Sequence, residues 1–294
     1  MTSTSTDELA AVRPARQHQG AEGAEMPQTP TRVPPGAPGA GLLTGLAQFS
    51  LRSLRHSFRD VESVLMAVLL PVMLMLIFTF VMGEAMAIGD GSRADYLAFV
   101  LPAIALTAAG FGASHTAVVV SNDVTTGFMD RLRTMPFPAV TVLLGHTVAS
   151  MVRNLLATAV VLGVAFAVGF RTDAGLPQLL GAVGLIALWI LAITCVFALL
   201  GLVSGSAESA NGYGFILLFL PYVSSGFAPV ETMPGWLQGF AQHQPMTPII
   251  DAARALITGT EVPSTWWAGP LWCLGFVILA VWLTAVVFPR KVTR

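Results

Sequence analysis

The sequence predicts an all-α integral membrane protein with six transmembrane helices. Hydrophobic residues make up 54% and charged residues 11% of the 294 residues, and the mean hydropathy is +0.73. A soluble domain carries about 25% charged residues, so this chain has too few of them to cover a water-exposed surface. The net charge of -1 gives no reason to expect nucleic acid as a partner.

Five apolar runs reach the length that crosses a bilayer, about 20 largely uncharged residues in helical form. A sixth run, residues 154–170, falls a little short and is extended back past Arg153. Helices are expected because lipid offers no partner for an unpaired backbone group. Arg153 in the third run is placed at the membrane edge, with its guanidinium directed toward water. Pro71, Pro102 and Pro221 should bend their helices. The predicted spans cover about residues 63–83, 96–121, 140–170, 176–203, 209–228 and 266–288.

The residues before the first span form two segments of different composition, and residues 61–294 form the transmembrane domain. Residues 1–40 are rich in Thr, Ser, Gln, Pro and Gly and are expected to be a disordered cytoplasmic tail, not a signal peptide. Residues 41–60 place Arg52, Arg55 and Arg59 along one flank of an apolar helix. This pattern predicts an interfacial amphipathic helix in contact with membrane lipids. A solvated charged helix is the alternative.

The distribution of cationic residues predicts a multi-pass protein with both termini in the cytoplasm. Short cytoplasmic loops carry an excess of Lys and Arg. In this orientation three arginines are external, namely Arg93, Arg171 and Arg254. The larger cytoplasmic set comprises Arg52, Arg55, Arg59, Arg131, Arg133, Arg153, Arg290, Lys291 and Arg294.

The cytoplasmic loop after the second span contains a short amphipathic pattern. Apolar side chains recur there at helical spacing beside Asp130, Arg131 and Arg133. A helix of this kind suits docking to a soluble partner, and an interfacial loop helix explains the periodicity equally well. The apolar stripe consists of Val124, Phe128, Leu132 and Met135.

The segment between the last two spans, residues 228–261, is apolar but is interrupted by prolines. Proline is tolerated in a first helical turn because its missing N–H would have been unpaired there anyway. Pro234 and Pro248 therefore predict the starts of two short helices. These helices are expected to dip into the outer leaflet, with Trp236 at the interface, and an ordinary external loop is the alternative.

A few polar and aromatic residues within the spans are candidates for facing a substrate cavity, because intramembrane polar groups usually avoid lipid. For each of these residues taken singly, helix packing is the favoured explanation. The candidates are Phe111, His115, Asn211, Phe219 and Tyr222.

The sequence gives no sign of a nucleotide or metal site in this chain. Lys291 is the sole lysine, and it does not follow the glycine-rich loop that cradles phosphates. The five histidines are scattered and form no H-E-x-x-H pattern. Cys195 and Cys273 lie in apolar runs, where cysteine behaves as a small hydrophobe. No cofactor or metal is therefore expected in the chain itself.

Two other function classes are alternatives for a chain of this composition. An intramembrane serine hydrolase would need Ser204-Gly205-Ser206 beside His115 or His146, but no G-x-S-x-G elbow is present. A proton- or sodium-coupled secondary transporter usually has internal repeats and acidic residues near the midplane. Here Glu62 and Glu208 fall at span edges, and no half resembles the other.

A resemblance covers roughly residues 41–290. Residues 127–136, GFMDRLRTMP, resemble the signature loop of type-2 ABC exporter permeases, in particular the daunorubicin/doxorubicin resistance branch. The pattern of that loop is approximately G-x-x-[DE]-R-[FL]-R-[ST]-x-P. Gln244 departs from the family, in which Asn more often stands before the proline that corresponds to Pro245. Further similarity lies in residues 142–147, 153–156, 227–230, 233–237 and 244–247 and in Arg254.

The resemblance implies a permease subunit in a bacterial cytoplasmic membrane that exports a drug, an antibiotic or a lipid. It implies pairing with a second copy or a related permease, and with two copies of an ABC ATP-binding subunit that hold ATP and Mg. The ATPase-coupling residues would be Thr126, Gly127, Phe128, Met129, Asp130, Arg131, Leu132 and Arg133. The external re-entrant motif would include Pro234, Trp236, Pro245, Thr247 and Arg254.

Overall fold

A computed structural model describes residues 61–83, 92–126 and 140–292, and all regular secondary structure in these ranges is helical. The predicted tail at 1–40 and the predicted interfacial helix with Arg52, Arg55 and Arg59 lie outside the described residues. The same is true of the coupling residues from 127 to 133.

Eight α-helices and three shorter helical turns make up the described part of the chain. The α-helices are α1 Val61–Ile77, α2 Arg93–Thr125, α3 Val140–Val168, α4 Leu176–Val203, α5 Ala207–Phe219, α6 Gly235–His243, α7 Met246–Thr258 and α8 Ala268–Val292. A π-helical turn, Phe78–Met82, extends α1, and a 3-10 turn, Leu220–Val223, extends α5. Another 3-10 turn, Val230–Thr232, precedes α6.

Four described helices are long and apolar enough to cross a membrane: α2, α3 from Leu144, α4, and α8 up to Phe288. The chain is therefore a helical integral membrane protein. Helix α1 is shorter, and α5 ends at Phe219 well before the predicted limit of its span. Pro221 lies in the 3-10 turn after α5 and has no N–H to continue an α-helix. The count of six spans stays a prediction.

Helix α2 occupies the centre of the bundle and packs against α1, α3, α4, α5 and α7. Its core-facing positions include Leu101, Ile104 and Leu106, which are almost fully buried, together with several alanines. Small residues allow close helix approach, and a Cβ added to Gly201 of α4 would lie only 2.4 Å from the Ala117 carbonyl oxygen of α2. This close packing places the polar groups of α2 within reach of its neighbours.

Helix α8 lies at the periphery, and most of its apolar side chains are exposed. Leu271, Ile278 and Trp282 are each more than half exposed. A soluble protein rarely exposes such a continuous apolar surface. We interpret this face of α8 as a lipid-contacting surface.

The two short helices predicted between the last spans are present. Helix α6 begins directly after Pro234, and α7 begins directly after Pro245 with Pro248 in its first turn. Helix α7 ends at Gly259, whose φ of 82° is in the left-handed region that glycine adopts without strain. The proline spacing in the sequence therefore located both helix starts to within two residues.

Candidate functional site

Thr126 is the one predicted coupling residue in the described part of the chain, and it caps the C-terminal end of α2. Its backbone N–H and its hydroxyl both donate to the Asn122 carbonyl oxygen, at 2.9 and 2.7 Å. The Thr125 hydroxyl donates to the Ser121 carbonyl oxygen at 2.9 Å. The last carbonyls of a helix have no partner within the helix, so these hydroxyls stabilise the end of α2 next to residues 127–139.

A hydrogen bond between an aspartate and a histidine joins α2 to α3 at this same end. Asp123 in the last turn of α2 lies 2.7 Å from Nε2 of His146 in α3, and the side chains are 23% and 14% exposed. The helix macrodipole disfavours a carboxylate in a last turn by about 0.3–1 kcal/mol. The position of Asp123 is therefore explained by its partner on α3 and not by the stability of α2.

Further polar contacts continue along the interface of α2 and α3. The Thr116 hydroxyl donates to Ser150 Oγ at 2.8 Å, and Arg153 Nη2 donates to the Gly112 carbonyl oxygen at 2.7 Å. Residue numbers fall along α2 as they rise along α3, so the two helices are antiparallel. We call Asp123–His146, Thr116–Ser150 and Gly112–Arg153 the polar row. It extends about 16 Å along α2 at a rise of 1.5 Å per residue.

The prediction that the Arg153 guanidinium is directed toward water is wrong. Arg153 is 5% exposed, and its Nη1 lies 3.4 Å from Nδ1 of His115. Helix α3 begins at Val140, so Arg153 lies about 20 Å along the helix, where its guanidinium packs against α2. Gly112 makes the approach possible, because a Cβ there would lie 1.7 Å from Asn154 Oδ1.

The predicted substrate-path residues fall into two groups. Phe111 and His115 are half-buried on α2, whereas Asn211 and Phe219 are exposed on α5. Tyr222 follows α5 and is half-buried, with its ring centroid 6.2 Å from that of Phe219. The structure thus brings Phe219 and Tyr222 together and leaves His115 beside Arg153.

An aromatic row runs from the exposed face of α5 into the bundle. Its members are Phe215, Phe219, Tyr222, Phe227 and Phe78, with successive ring centroids 5.9, 6.2, 4.8 and 4.9 Å apart. Phe215 and Phe219 are 56% and 57% exposed, whereas Phe227 is 7% exposed. The row therefore connects the periphery of the bundle to its interior.

Arg254 of α7 anchors the short helices to the start of α2. Its Nε donates to the Phe99 carbonyl oxygen at 3.0 Å, and its Nη2 donates to the Ser225 carbonyl oxygen at 2.6 Å. Nη1 pairs with Asp251 at 2.8 Å, and the guanidinium stacks on the Phe99 ring at 4.0 Å. Burial lowers the pKa of the Arg254 guanidinium from its usual value, and Asp251 acts in the opposite direction.

Gln244, Ser225 and Thr247 complete this contact. The Gln244 amide donates to the Leu220 carbonyl oxygen at 3.3 Å and to that of Val223. The backbone N–H of Ser225 donates to the Thr247 hydroxyl at 3.3 Å. Non-helical backbone in a membrane protein must be satisfied by other protein groups. Gln244 satisfies carbonyls that follow α5, and Thr247 accepts from the N–H of Ser225.

The remaining residues of the predicted external motif have simpler roles. Pro234 and Pro245 immediately precede α6 and α7, and Trp236 is 81% exposed in the first turn of α6. Sequence reasoning missed Asp123 and His146 as a pair, and it treated Gln244 only as a departure from a pattern. An ionisable residue close to a span is a signal of function, but the sequence does not identify its partner.

The serine and histidine residues weighed for a hydrolase have other contacts. The Ser204 hydroxyl donates to the Gly201 carbonyl oxygen at 2.9 Å, and Ser206 caps α5 through the Ser209 N–H. His146 is paired with Asp123, and His115 lies beside Arg153. The structure therefore shows these serines as helix caps.

These observations define a helical membrane protein whose central helix is held by polar contacts at both ends. Residues 46–258 match the sequence profile of the ABC-2 type transporter family, and the chain belongs to this family. It is the membrane-spanning permease subunit of an ABC exporter, and members of the family work with an ABC ATP-binding subunit.

Two curated relatives support this assignment. A daunorubicin resistance ABC transporter permease protein of Streptomyces coeruleorubidus is 32% identical over 215 residues, which are 73% of this chain and 74% of the relative. A probable doxorubicin resistance ABC transporter permease protein of Mycobacterium tuberculosis is 26% identical over 271 residues, 92% of this chain and 98% of the relative.

Proposed function

We propose that this permease exports a hydrophobic or amphipathic compound, such as a drug, an antibiotic or a lipid, across a bacterial cytoplasmic membrane. The observation that carries the proposal is the similarity, over 73% of the chain, to a permease named for resistance to daunorubicin. Export of such a compound would lower its concentration in the cell and so give resistance.

The working assembly contains two permease chains, identical or related, and two ATP-binding subunits. ATP and Mg are bound by those subunits, since the permease sequence has one lysine and no phosphate-binding loop around it. Residues 126–133 dock on the ATPase from the cytoplasm. Helices α6 and α7 lie on the external side and re-enter the outer leaflet.

This orientation follows from the excess of cationic residues assigned to the cytoplasm. Single cysteines at Thr126 and at the exposed Glu261, in a chain lacking Cys195 and Cys273, should react with an impermeant thiol reagent from opposite faces. Reaction from the same face would contradict the orientation.

The aromatic row supports a substrate path on the exposed side of α5. Aromatic rings bind flat apolar molecules through offset stacking and burial of surface. Phe215 and Phe219 are accessible from the lipid, and Phe227 lies inside the bundle. An amphipathic substrate could therefore enter from the membrane and move from ring to ring.

The function is tested with the permease and its ATP-binding subunit reconstituted in proteoliposomes with doxorubicin as the probe. We expect the proteoliposomes to accumulate doxorubicin only when ATP is supplied. This accumulation should persist with an uncoupler and should disappear when the nucleotide site of the ATPase is inactivated. Transport by the permease alone on an imposed proton gradient would contradict the proposal, because it would show a secondary carrier.

The path is tested by Phe219→Ala, which removes a ring from the aromatic row. We expect the KM for doxorubicin to rise by a factor of about 5–10, equivalent to about 1–1.4 kcal/mol of lost binding. Phe166→Ala is the matched control, since Phe166 is 44% exposed on α3 and lies outside the row. Equal effects of the two variants would argue against a path along α5.

A further inference from the structure

The Asp123–His146 pair joins the end of α2 to the start of α3. The coupling segment, residues 127–139, connects these two helix ends in sequence. Asp123 is in the last turn of α2, and His146 is in the second turn of α3. Asp123 Oδ2 and His146 Nε2 are 2.7 Å apart, and both side chains are mostly shielded from water. Partial burial lowers the local dielectric, so this hydrogen bond is stronger than one on an open surface.

The location of Asp123 is unfavourable for its own helix taken alone. The C-terminal end of α2 carries partial negative charge and repels a carboxylate. Thr125 and Thr126 complete the end of α2 through bonds to its own carbonyls. Asp123 is therefore directed to a contact between helices, which its own helix does not require.

The other two contacts of the polar row lie deeper in the bundle. Thr116–Ser150 and Gly112–Arg153 hold the same two helices in one register, and the Thr194 hydroxyl of α4 lies 3.5 Å from Ser150 Oγ. Packed helices that are linked at several points move as a unit, and such contiguous contacts carry coupling free energy between distant sites.

We propose that Asp123 and His146 are positioning residues that hold the ends of α2 and α3 together. A displacement of the coupling segment by the ATPase is then passed to both helices at once. This inference rests on the proposed function, because it assumes that the segment from Thr126 onward docks on an ATP-driven partner. The pair touches neither nucleotide nor substrate, and it acts through the coupling segment.

The first test compares Asp123→Ala and His146→Ala in the complete exporter complex. We expect the ATP-binding subunit to co-purify and to hydrolyse ATP at the basal wild-type rate, whereas doxorubicin transported per ATP falls about fivefold or more. The double variant should be no worse than either single variant, because both changes remove one interaction. Normal transport per ATP in the single variants would overturn the proposal.

The second test restores the link by chemistry. Asp123→Cys and His146→Cys are combined in a chain lacking Cys195 and Cys273, and the thiols are joined by a short bis-methanethiosulfonate reagent. Transport per ATP should be low before crosslinking, recover after it and fall again when a reductant removes the link. A crosslinked complex that stays uncoupled would overturn the proposal, since the link would then not be what the pair supplies.

Three controls separate this effect from other causes. Asp173→Ala and His243→Ala remove the same residue types at exposed positions outside the polar row and should leave coupling unchanged. Phe128→Asp should instead abolish co-purification of the ATPase, which is loss of docking. If the wild-type complex shows no ATP-dependent transport, the proposed function fails. If the wild type transports and the pair variants match it, only the positioning role fails.

Discussion

The two ends of α2 are held by different kinds of polar contact. At the Thr126 end, Asp123–His146 and Thr116–Ser150 join side chains of two regular helices. At the opposite end, Arg254 donates to the backbone carbonyls of Phe99 and Ser225. Gln244 donates to the backbone carbonyls of Leu220 and Val223.

The difference follows from the backbone at each end. Helices α2 and α3 satisfy their own N–H and C=O groups, so their side chains are available to fix the register of one helix against the other. After α5 the backbone is irregular, and its carbonyls need donors from elsewhere in the protein. Polar contacts therefore specify helix register at one end of the molecule and permit a broken backbone at the other.

The largest effect on stability is expected from Arg254→Ala, which removes both carbonyl contacts of the guanidinium and leaves Asp251 without its cation. Charge-assisted hydrogen bonds contribute about 1.5–3 kcal/mol each, so we expect a loss of about 2–4 kcal/mol after allowing for partial exposure of Asp251. Thermal unfolding in detergent measures this loss of stability.

Arg171→Ala is the matched control for Arg254. Arg171 also donates to two carbonyl oxygens, those of Phe166 and Phe170, but it is exposed to solvent. Water can replace its hydrogen bonds, so the melting temperature should hardly change. An equal loss in both variants would show that the contacts of Arg254 do not have the structural role inferred for them.

A smaller effect is expected from Gly112→Ala at the interface of α2 and α3. The new Cβ would lie 1.7 Å from Asn154 Oδ1, a fully buried side chain. Forcing a methyl group into such packing costs about 1–3 kcal/mol. Circular dichroism during heating should show a lower unfolding midpoint.

Gly163→Ala provides the opposite case within the same helix pair. A Cβ at Gly163 of α3 has no atom within 4 Å, and alanine favours the helix by about 0.5–1 kcal/mol over glycine. This variant should be as stable as the wild type or more so. A destabilised Gly163→Ala would show that helix propensity does not govern this exposed position.

The smallest of the three expected losses of stability is that of Gln244→Ala, which leaves the Leu220 and Val223 carbonyl oxygens without the amide donor. A neutral hydrogen bond contributes about 0.5–1.5 kcal/mol, so the loss should be about 1–2 kcal/mol. Hydrogen exchange should show faster opening around residues 220–226. Exchange confined to α2 and α3 would contradict the assignment of this contact.

The sequence alone was sufficient for the elements that depend on local composition. Long apolar runs predicted α2 and α4, because a lipid environment requires internally satisfied backbone. Pro234 and Pro248 predicted the two short helices, since proline is accommodated in a first turn. The motif at residues 127–136 indicated the ABC permease family, which the profile match confirms.

Only the tertiary structure decided which polar groups meet. Asp123 and His146 are 23 residues apart, and Arg254 and Phe99 are 155 residues apart, so no local pattern relates them. Arg153 was misplaced because hydropathy reports the average polarity of a segment, whereas burial depends on the neighbouring helix and on the space that Gly112 leaves open. Helical periodicity shows which face of a helix a residue lies on, but packing determines what that face contacts.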